Sequence, residues 1–417
     1  MPRRLVACHH CDYLHTEDDI PAGNVAVCVR CGAPLYQAQN NSIERSLAFA
    51  VTALVLFVIA NSFPILGFSM EGRSESNTLM SGVVTFWQEG YPFLAFMVGL
   101  TSMAAPLLLI GAYLYVLTPL RFGFEWPGVH HVWRVLAIIR PWSMLDVFLI
   151  GLLVALTKLS DFADVVAGPA FYAVCLLIPA SLLMSTQLDP RVIWRKLAPV
   201  GLHHPTIDDL AADSTWVTCH NCAFVVIGNG ETEGVSCPRC GSRLHHRKPR
   251  SLSRAWALLL AAMVFYIPAN VFPIMTVTLL GRAEADTILT GVGSLIAAGE
   301  WPIAIVVFVA SIVVPVFKIA VLAWVYLATG FGQTRALRDR TTIYRVTELI
   351  GRWSMIDVFM VSILAALVKL GNIATVEPGF GAVAFCAVVI LTMLSAMAFD
   401  PRLIWDRAGM LQQQGTA

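Results

Sequence analysis

The residues of this chain with the most recognisable chemistry are cysteines, because eight of the ten form four Cys-x-x-Cys pairs. The pairs make two groups, with 16 residues between the pairs of the first group and 14 between those of the second. Two such knuckles supply the tetrahedral set of thiolates typical of a zinc ribbon. A glycine after the last cysteine of each group, Gly32 and Gly241, lets the backbone turn toward the metal. The spacing therefore predicts two zinc sites, one formed by Cys8, Cys11, Cys28 and Cys31 and the other by Cys219, Cys222, Cys237 and Cys240.

The predicted zinc ions are structural, because four sulfur ligands leave no open coordination position for a substrate. A domain of about 40 residues also needs such a staple, since it cannot bury enough core by itself. Iron in a rubredoxin-like site uses similar ligands and is an alternative metal. Disulfides are a further alternative, which a reducing cytosol opposes. Histidines near the knuckles are alternative ligands: His9, His10, His15, His220, His245 and His246.

The segments that must position these cysteines occur twice, because the chain is an internal duplication with a spacing of 209–211 residues. Five segments recur in the same order in both copies. They are C-H-H-C (8–11) and C-H-N-C (219–222), C-V-R-C-G (28–32) and C-P-R-C-G (237–241), A-N-S-F-P-I (60–65) and A-N-V-F-P-I (269–274), W-S-M-L-D-V-F (142–148) and W-S-M-I-D-V-F (353–359), and L-D-P-R-V-I-W (188–194) and F-D-P-R-L-I-W (399–405). Each copy therefore consists of a small Cys-rich domain followed by a longer apolar block.

The two apolar blocks are expected to cross a membrane. The chain is 57% hydrophobic and 13% charged, against roughly 45–50% and 25% in soluble domains, which excludes a secreted or cytosolic globule. Runs of spanning length lie near 47–70, 92–118, 143–160 and 166–187 in the first copy, and near 255–280, 302–329, 354–370 and 379–399 in the second. The sequence predicts an all-α polytopic membrane protein with two four-helix blocks.

The distribution of lysine and arginine predicts the orientation of these helices. Most lie in the Cys-rich domains, in the loops 119–142 and 330–353 and in the tail, which the positive-inside bias places in the cytoplasm with both chain ends. An even number of spans per copy makes the copies parallel repeats. The predicted domains are 1–45 (zinc ribbon 1), 46–190 (first membrane block), 191–253 (linker and zinc ribbon 2), 254–400 (second membrane block) and 401–417 (cytoplasmic tail).

The two copies differ at a lysine inside a membrane span. Lys318 falls in the middle of the long span of the second copy, where the first copy has Leu109. An ammonium group at that depth costs at least about 2.5–3.5 kcal/mol, so we expect it to face a bundle interior, a partner or water. We interpret Lys318 as part of a polar or proton-handling site, with Asp161, Ser311 and Thr392 as candidate partners.

Two further lysines lie near the ends of the third spans. Lys158 and Asp161 are three residues apart, on one helix face, and form a candidate ion pair. The second copy keeps the lysine as Lys369 and replaces the acid with Asn372. Snorkelling of both lysines to the outer interface is the alternative interpretation.

An asparagine precedes a proline in the first span of each copy, at Asn61 and Asn270. Its amide either bonds a carbonyl freed by a helix kink or lines a cavity. The W-S-M-x-D segments are typical of a helix N-cap with an interfacial tryptophan.

Several function classes are excluded or disfavoured by what the sequence contains. The 28 Lys and Arg nearly cancel the 27 Asp and Glu, for a net charge of +1, so the total charge does not indicate a nucleic-acid partner. The sequence has no GxxxxGK[ST], HExxH or GxSxG segment and no GxGxxG after a strand. We therefore expect no ATP hydrolysis and no enzymatic activity.

The chain resembles the paraquat-inducible protein A family of Gram-negative inner-membrane proteins, on the paired CxxC ribbons, the A-N-x-F-P-I and W-S-M-x-D-V-F segments and the D-P-R ends. The resemblance covers nearly the whole chain. It implies tetraspanin-like four-helix blocks and a multi-pass protein of the bacterial inner membrane. It also implies a periplasmic MCE-domain partner, which forms a tunnel for lipids between the two membranes.

These inferences together give one functional hypothesis and two rivals. The hypothesis is an inner-membrane component that passes phospholipid to or from a periplasmic MCE-domain tunnel protein and contributes to outer-membrane integrity. One rival is a redox protein whose iron-loaded ribbons pass electrons to membrane quinone. The other is an exporter of small toxic compounds, which rests on the family name alone.

Overall fold

The computed structural model describes residues 4–70, 73–124, 126–160, 164–199, 201–210, 215–228, 233–279, 282–297, 299–351, 355–367 and 374–406. These residues are mostly helical, and the membrane helices and their connecting strands follow the same order in both halves of the chain. A mostly helical structure with two four-cysteine clusters is therefore confirmed.

Each copy contributes the same series of helices. Those of the first copy are α1 (Ser42–Ser62), α2 (Leu79–Gln88), α3 (Pro92–Gly99), α4 (Ala105–Phe122), α5 (Val129–Ile139), α6 (Leu145–Ser160), α7 (Pro169–Thr186) and α8 (Pro190–Lys196). Those of the second are α9 (Ser251–Val271), α10 (Ile288–Ala297), α11 (Trp301–Phe308), α12 (Val314–Gly330), α13 (Leu337–Ile350), α14 (Ile356–Leu367), α15 (Phe380–Ala398) and α16 (Leu403–Asp406). A π-helical segment joins α3 to α4 (Leu100–Ala104) and α11 to α12 (Val309–Val313), so each pair is one long helix.

Short antiparallel strands occur in the heads and at the ends of the membrane helices. The heads contain β1 (Leu5–Ala7), β2 (Leu14–Thr16), β3 (Val25–Val27), β4 (Pro34–Gln37), β8 (Thr215–Thr218) and β9 (Val225–Gly228), paired as β1–β2, β3–β4 and β8–β9. Two three-stranded sheets have the orders β6–β5–β7 and β11–β10–β12. Their strands are β5 (Leu66–Met70), β6 (Arg73–Asn77), β7 (Asp164–Ala167), β10 (Met275–Leu279), β11 (Arg282–Asp286) and β12 (Ala374–Pro378).

These sheets correct the expectation of a purely α-helical fold. The apolar runs 47–70 and 255–280 were expected to be helical throughout, but the helices end at Ser62 and Val271 and the rest is extended. The reason is the proline of each A-N-x-F-P-I segment, which forces the preceding phenylalanine out of the α region. Each sheet joins the end of the first helix of its copy to the start of a later one, α1 to α7 in the first copy and α9 to α15 in the second.

Seven helices in the described residues are long and apolar enough to cross a membrane. They are Ser42–Ser62, Pro92–Phe122, Val129–Leu156, Pro169–Thr186, Ser251–Val271, Trp301–Gly330 and Phe380–Ala398. The eighth expected run, 354–370, contains α14, and residues on both sides of α14 lie outside the described ranges. The expected loop 119–142 is largely helical, because α5 continues into α6 through a 3₁₀ turn.

The two membrane blocks pack on each other through α6 and α14. Within each block, α1 packs on α7 and α9 packs on α15. Between the blocks, a Cβ on Gly151 of α6 would lie 3.0 Å from the Cβ of Phe359 on α14, so a larger residue would push the helices apart. One cluster of buried apolar side chains continues across this interface.

The two Cys-rich heads are exchanged between the blocks. The cysteines of the N-terminal head share a buried cluster with Leu337, Tyr344 and Trp405 of the second block. The cysteines of the other head share a cluster with Trp133 and Trp194 of the first block. The metal-binding end of each head therefore packs on the membrane block of the other copy.

Candidate functional site

The eight paired cysteines form two compact four-sulfur groups. In each group all four sulfur atoms lie within 4.8 Å of one another, and all eight side chains are buried. The Sγ–Sγ distances are 3.5 Å for Cys8–Cys31 and for Cys11–Cys28. They are 3.5 Å and 3.6 Å for the corresponding pairs of the second group. These distances exceed the disulfide bond length of about 2.05 Å and approach the roughly 3.8 Å edge of a tetrahedron with Zn–S bonds near 2.3 Å.

Each knuckle has the same backbone geometry, which explains how the sequence positions the sulfurs. The residue after the second cysteine has a positive φ, as expected for Gly32 and Gly241 at 70° and also found for Asp12 at 59° and Ala223 at 55°. Its amide N–H donates to the carbonyl of the first cysteine at 2.8–3.0 Å in all four knuckles. The soft thiolates fit zinc or iron, and a four-sulfur set leaves neither metal an open coordination position. The histidines near the knuckles do not belong to either metal group in the described residues.

The heads are fixed to the helix ends by buried charged groups. Asp12, which is 6% exposed, accepts hydrogen bonds from Arg247 Nη1 at 2.8 Å and from Thr218 Oγ1 at 3.2 Å. Arg402 Nη1 lies 3.5 Å from Asp12 Oδ1, the oxygen that accepts from Thr218. Arg247 also donates through Nη2 to Asp406 Oδ1 at 2.7 Å. This network connects the first head, the segment before α9 and the end of the second block.

The aspartate of the second D-P-R segment is held in its ionised form. Burial alone would raise the pKa of Asp400, but a hydrogen bond from His220 and the charge of Arg402 hold it well below its ordinary value. The backbone N–H groups of Lys248 and Arg402 also donate to this carboxylate, each at 3.2 Å. Asp400 thus anchors the second head and the start of α9 to the end of α15.

Lys318 lies at a cavity of about 470 Å³ between the membrane blocks and the N-terminal head. The lysine is on α12, is 3% exposed, and no hydrogen bond to its ammonium group is found among the described residues. The cavity is lined by His10, Arg140, Pro141, Lys318, Thr342, Arg345, Val346, Glu348, Leu349, Met393, Ala396 and Met397. Lys318 was expected to face a bundle interior, a partner or water, and its part in a polar or proton-handling site stays a prediction.

The position of Lys318 depends on a glycine in the next helix. A Cβ on Gly351, the residue that ends α13, would lie 2.8 Å from Lys318 Cε and 3.2 Å from the carbonyl oxygen of Thr347. By alignment of the repeated tryptophans, the first copy has Arg140 where the second has Gly351, and Leu109 where the second has Lys318. Each copy therefore has one basic residue at these two positions, Arg140 in the first copy and Lys318 in the second. Both line the same cavity.

The two expected hydroxyl partners of Lys318 are buried, but neither lines this cavity. Thr392 Oγ1 donates to the carbonyl of Val389 at 2.9 Å. Ser311 is fully buried in the π-helical segment, and its Oγ has no hydrogen-bond partner in the described residues. The first copy has Ser181 and Ser102 at these positions, so the hydroxyls are common to both copies and only the lysine is particular to the second.

Other predicted polar residues fall outside what the structure describes. Asp161 and Lys369 lie in the undescribed ranges, and only the backbone of Lys158 is described, within α6. Their proposed ion pair and site role stay predictions.

The two asparagines bond to the helix that contains them. Asn61 Nδ2 donates to the carbonyl of Phe57 at 2.8 Å, and Asn270 Nδ2 donates to that of Tyr266 at 2.8 Å. Both lie in the last turn of their helices, so they bind carbonyls at a helix end and not at a mid-span kink. Asn61 Oδ1 is buried without a partner in the described residues, and a role of these side chains in transport stays a prediction.

Most of the cavity lining was not predicted from the sequence. Arg140 lies in the expected loop 119–142, and Arg345 and Glu348 lie in the expected loop 330–353, as does Gly351 beside Lys318. A signal was present in the repeat, because the exchange of Arg140 for Gly351 occurs next to the exchange of Leu109 for Lys318 on a neighbouring helix.

Comparisons with known proteins give a consistent result. A family model described as paraquat-inducible protein A matches residues 43–198 and 252–409. The chain is 34% identical over 408 residues to the intermembrane transport protein PqiA of Escherichia coli K12, covering 96% of this chain and 95% of that protein. It is 32% identical over 399 residues to the lipophilic envelope-spanning tunnel protein A of the same strain, covering 96% and 90%. A probable intermembrane transport protein of Haemophilus influenzae is 27% identical over 411 residues, covering 97% and 96%. No solved structure matches the chain.

Proposed function

The chain belongs to the paraquat-inducible protein A family, and on this basis we propose that it is the inner-membrane component of an intermembrane lipid transport system. The observation that carries the proposal is the similarity over 96% of the chain to a protein named for intermembrane transport. A second relative is named as a lipophilic envelope-spanning tunnel protein. The names describe transport, which also supports a protein without enzymatic activity.

The proposed orientation follows from charge and connectivity. Both Cys-rich heads and both chain ends face the cytoplasm, because lysine and arginine concentrate there. The two three-stranded sheets join the opposite ends of the helices and therefore lie in the periplasm. A periplasmic MCE-domain protein would be seated on these sheets and would receive or deliver phospholipid there.

The two heads are proposed to be zinc-stapled anchors with no direct part in transport. Each would hold one zinc ion through its four cysteines. The metal would supply folding energy to a head that is too small to be stable alone. Because each head packs on the other block, the staples also hold the two blocks in one arrangement.

The transport step needs a polar place for a lipid head group inside an apolar protein. Lys318 is the buried cation that offers one, and Asp161 is proposed to act with it in coupling transport to a proton or lipid gradient. The chain has no nucleotide-binding loop, so the energy source is a gradient or a partner.

The proposal is tested in cells and in membranes. Replacement strains carrying Lys318→Leu or Asp161→Asn are expected to show outer-membrane permeability defects at protein levels equal to wild type. Arg121→Gln, which removes an exposed cation that is not in the lining of the cavity at Lys318, is the matched control. Crosslinked membranes should yield a periplasmic MCE-domain protein and phospholipid with the purified chain. Normal permeability in both variants together with no such partner would refute the proposed function.

A further inference from the structure

The cavity at Lys318 has an excess of positive charge. Three basic side chains, Arg140, Lys318 and Arg345, line it together with one carboxylate, that of Glu348. The three cations come from three different elements: the 3₁₀ turn after α5, α12 and α13. A lining with three basic side chains and one carboxylate favours the binding of an anion.

The deepest of these cations is the one whose burial most needs a ligand. Lys318 lies 12 residues before the end of α12 at Gly330, roughly 18 Å along the helix axis. Its side chain is 3% exposed, and no described group accepts a hydrogen bond from it. A buried ammonium without an acceptor is costly, and its Nζ is directed over the backbone of Gly351 at the cavity wall.

The other walls of the cavity are apolar. Met393 and Met397 of α15 contribute flexible thioether side chains, which adapt to ligands of irregular shape. Val346 and Leu349 of α13 are 45% and 62% exposed, and they lie three residues apart on one helix face. They form an apolar margin where the cavity opens sideways.

We propose that this cavity binds a phosphate group, carried by the head group of an anionic phospholipid whose acyl chains leave over Val346 and Leu349. The assignment of the phosphate to a lipid rests on the proposed function. The guanidinium groups of Arg140 and Arg345 bind phosphate oxygens in a bidentate manner, and Lys318 binds as a point charge. A volume of about 470 Å³ is in the range of small-ligand pockets and suits a head group with its glycerol.

The site also joins the two membrane blocks to a zinc-stapled head. Arg140 belongs to the first block, Lys318 and Arg345 to the second, and His10 lies between the first two cysteines of the N-terminal head. A bound phosphate would therefore contact groups from three parts of the molecule. The ligand is expected to stabilise the arrangement of the blocks as well as occupy the cavity.

The experiment measures binding to the purified full-length chain in detergent by native mass spectrometry. The probes are dioctanoyl phosphatidylglycerol, dioctanoyl phosphatidylcholine, dioctanoylglycerol and inorganic phosphate. We expect phosphatidylglycerol to bind best and dioctanoylglycerol, which lacks phosphate, to bind at least about tenfold more weakly, as for a lost hydrogen bond to a charged group. Lys318→Leu and Arg140→Gln should each weaken phosphatidylglycerol binding by at least about tenfold, and Arg121→Gln should not.

The variants and probes separate the outcomes. Leu is the residue that the first copy has at this position, at Leu109, so Lys318→Leu is expected to fold, and Arg345→Gln is a second cavity variant if it does not. If inorganic phosphate binds as tightly as the lipid, the site is one for a free anion, bound by the same basic side chains. Unchanged binding in Lys318→Leu, Arg140→Gln and Arg345→Gln would overturn the proposal. Because the assay uses no partner and no transport, a failure of the proposed function leaves its result unchanged.

Discussion

The ring of Phe148 meets the ring of Phe359 edge to face, with 5.5 Å between centroids and 78° between planes. The two residues are the last of the W-S-M-x-D-V-F segments and occupy equivalent positions in the two copies. The segment of the first copy therefore contacts the equivalent segment of the second copy at the interface between the blocks, as expected for a pseudo-two-fold pair.

This pair is expected to couple the two blocks energetically. Replacing either residue with Ala should destabilise the chain, and the double variant should lose less than the sum of the two single variants. The shortfall, measured by denaturant or thermal unfolding in detergent, should be about 0.5–1.5 kcal/mol, as for an aromatic pair. Phe122→Ala, at an exposed ring on another helix, combined with Phe359→Ala should be additive. Additivity of Phe148→Ala and Phe359→Ala would contradict the contact.

Loss of metal from one head is expected to loosen the block of the other copy. Cys28→Ser removes a ligand from the first group, so amide hydrogen exchange should rise in α13, which packs on that head. Cys237→Ser should raise exchange in α5, whose Arg134 donates to the carbonyl of Cys240. Metal analysis should show two zinc ions in the wild-type chain and one in each variant. Exchange that rises only in the block of the same copy would exclude the exchanged heads, and iron in the wild type would support the redox rival.

The charge of Asp12 is expected to stabilise the attachment of the first head. Asp12→Asn keeps a residue that tolerates positive φ but removes the charge that Arg247 and Arg402 share. We expect a loss of about 1.5–3 kcal/mol, the range for hydrogen bonds to charged groups, measured by unfolding in detergent. Asp18→Asn, at an exposed position of the same head, should change stability by less than about 0.5 kcal/mol. Equal stability of Asp12→Asn and wild type would show that the buried network contributes nothing.

A methyl group at Gly351 is expected to displace Lys318. Gly351→Ala places a Cβ 2.8 Å from Lys318 Cε, so the ammonium must move, although Ala is the better helix former. Phosphatidylglycerol binding should fall as it does in Lys318→Leu. The control is Gly330→Ala, at the end of α12, the helix that contains Lys318. A Cβ on Gly330 meets no atom within 4 Å, so this variant should bind phosphatidylglycerol normally. Normal phosphatidylglycerol binding by Gly351→Ala would show that the lipid site does not depend on the position of Lys318.

The cysteine sites could be predicted from the sequence because their information is local. A knuckle needs only two cysteines three apart and a residue that accepts positive φ, as at Gly32 and Gly241. Apolar runs likewise predict spans directly. The apolar pattern did not predict where the first helix of each copy ends. In the first copy the helix ends before Pro64, although the apolar run continues to Met70.

The cavity could not be predicted because it depends on contacts that are distant in sequence. Arg140 and Lys318 are 178 residues apart, with the whole second Cys-rich head between them. A polar helix such as α13 also resembles a loop when only its composition is considered. Comparing the copies position by position indicated Lys318 as a difference between them, and Lys318 lines the cavity. It did not indicate that the cation missing at Gly351 was supplied by Arg140 from the other copy.

The exchanged heads have a consequence for how the chain is made. Gln37 ends the last strand of the N-terminal head, and Leu337, to which that head docks, is 300 residues further on. At about 5–20 residues per second, the ribosome needs about 15–60 s to synthesise this interval. The nascent head must therefore wait for its docking surface, and the two halves of the molecule can close only after both have been synthesised.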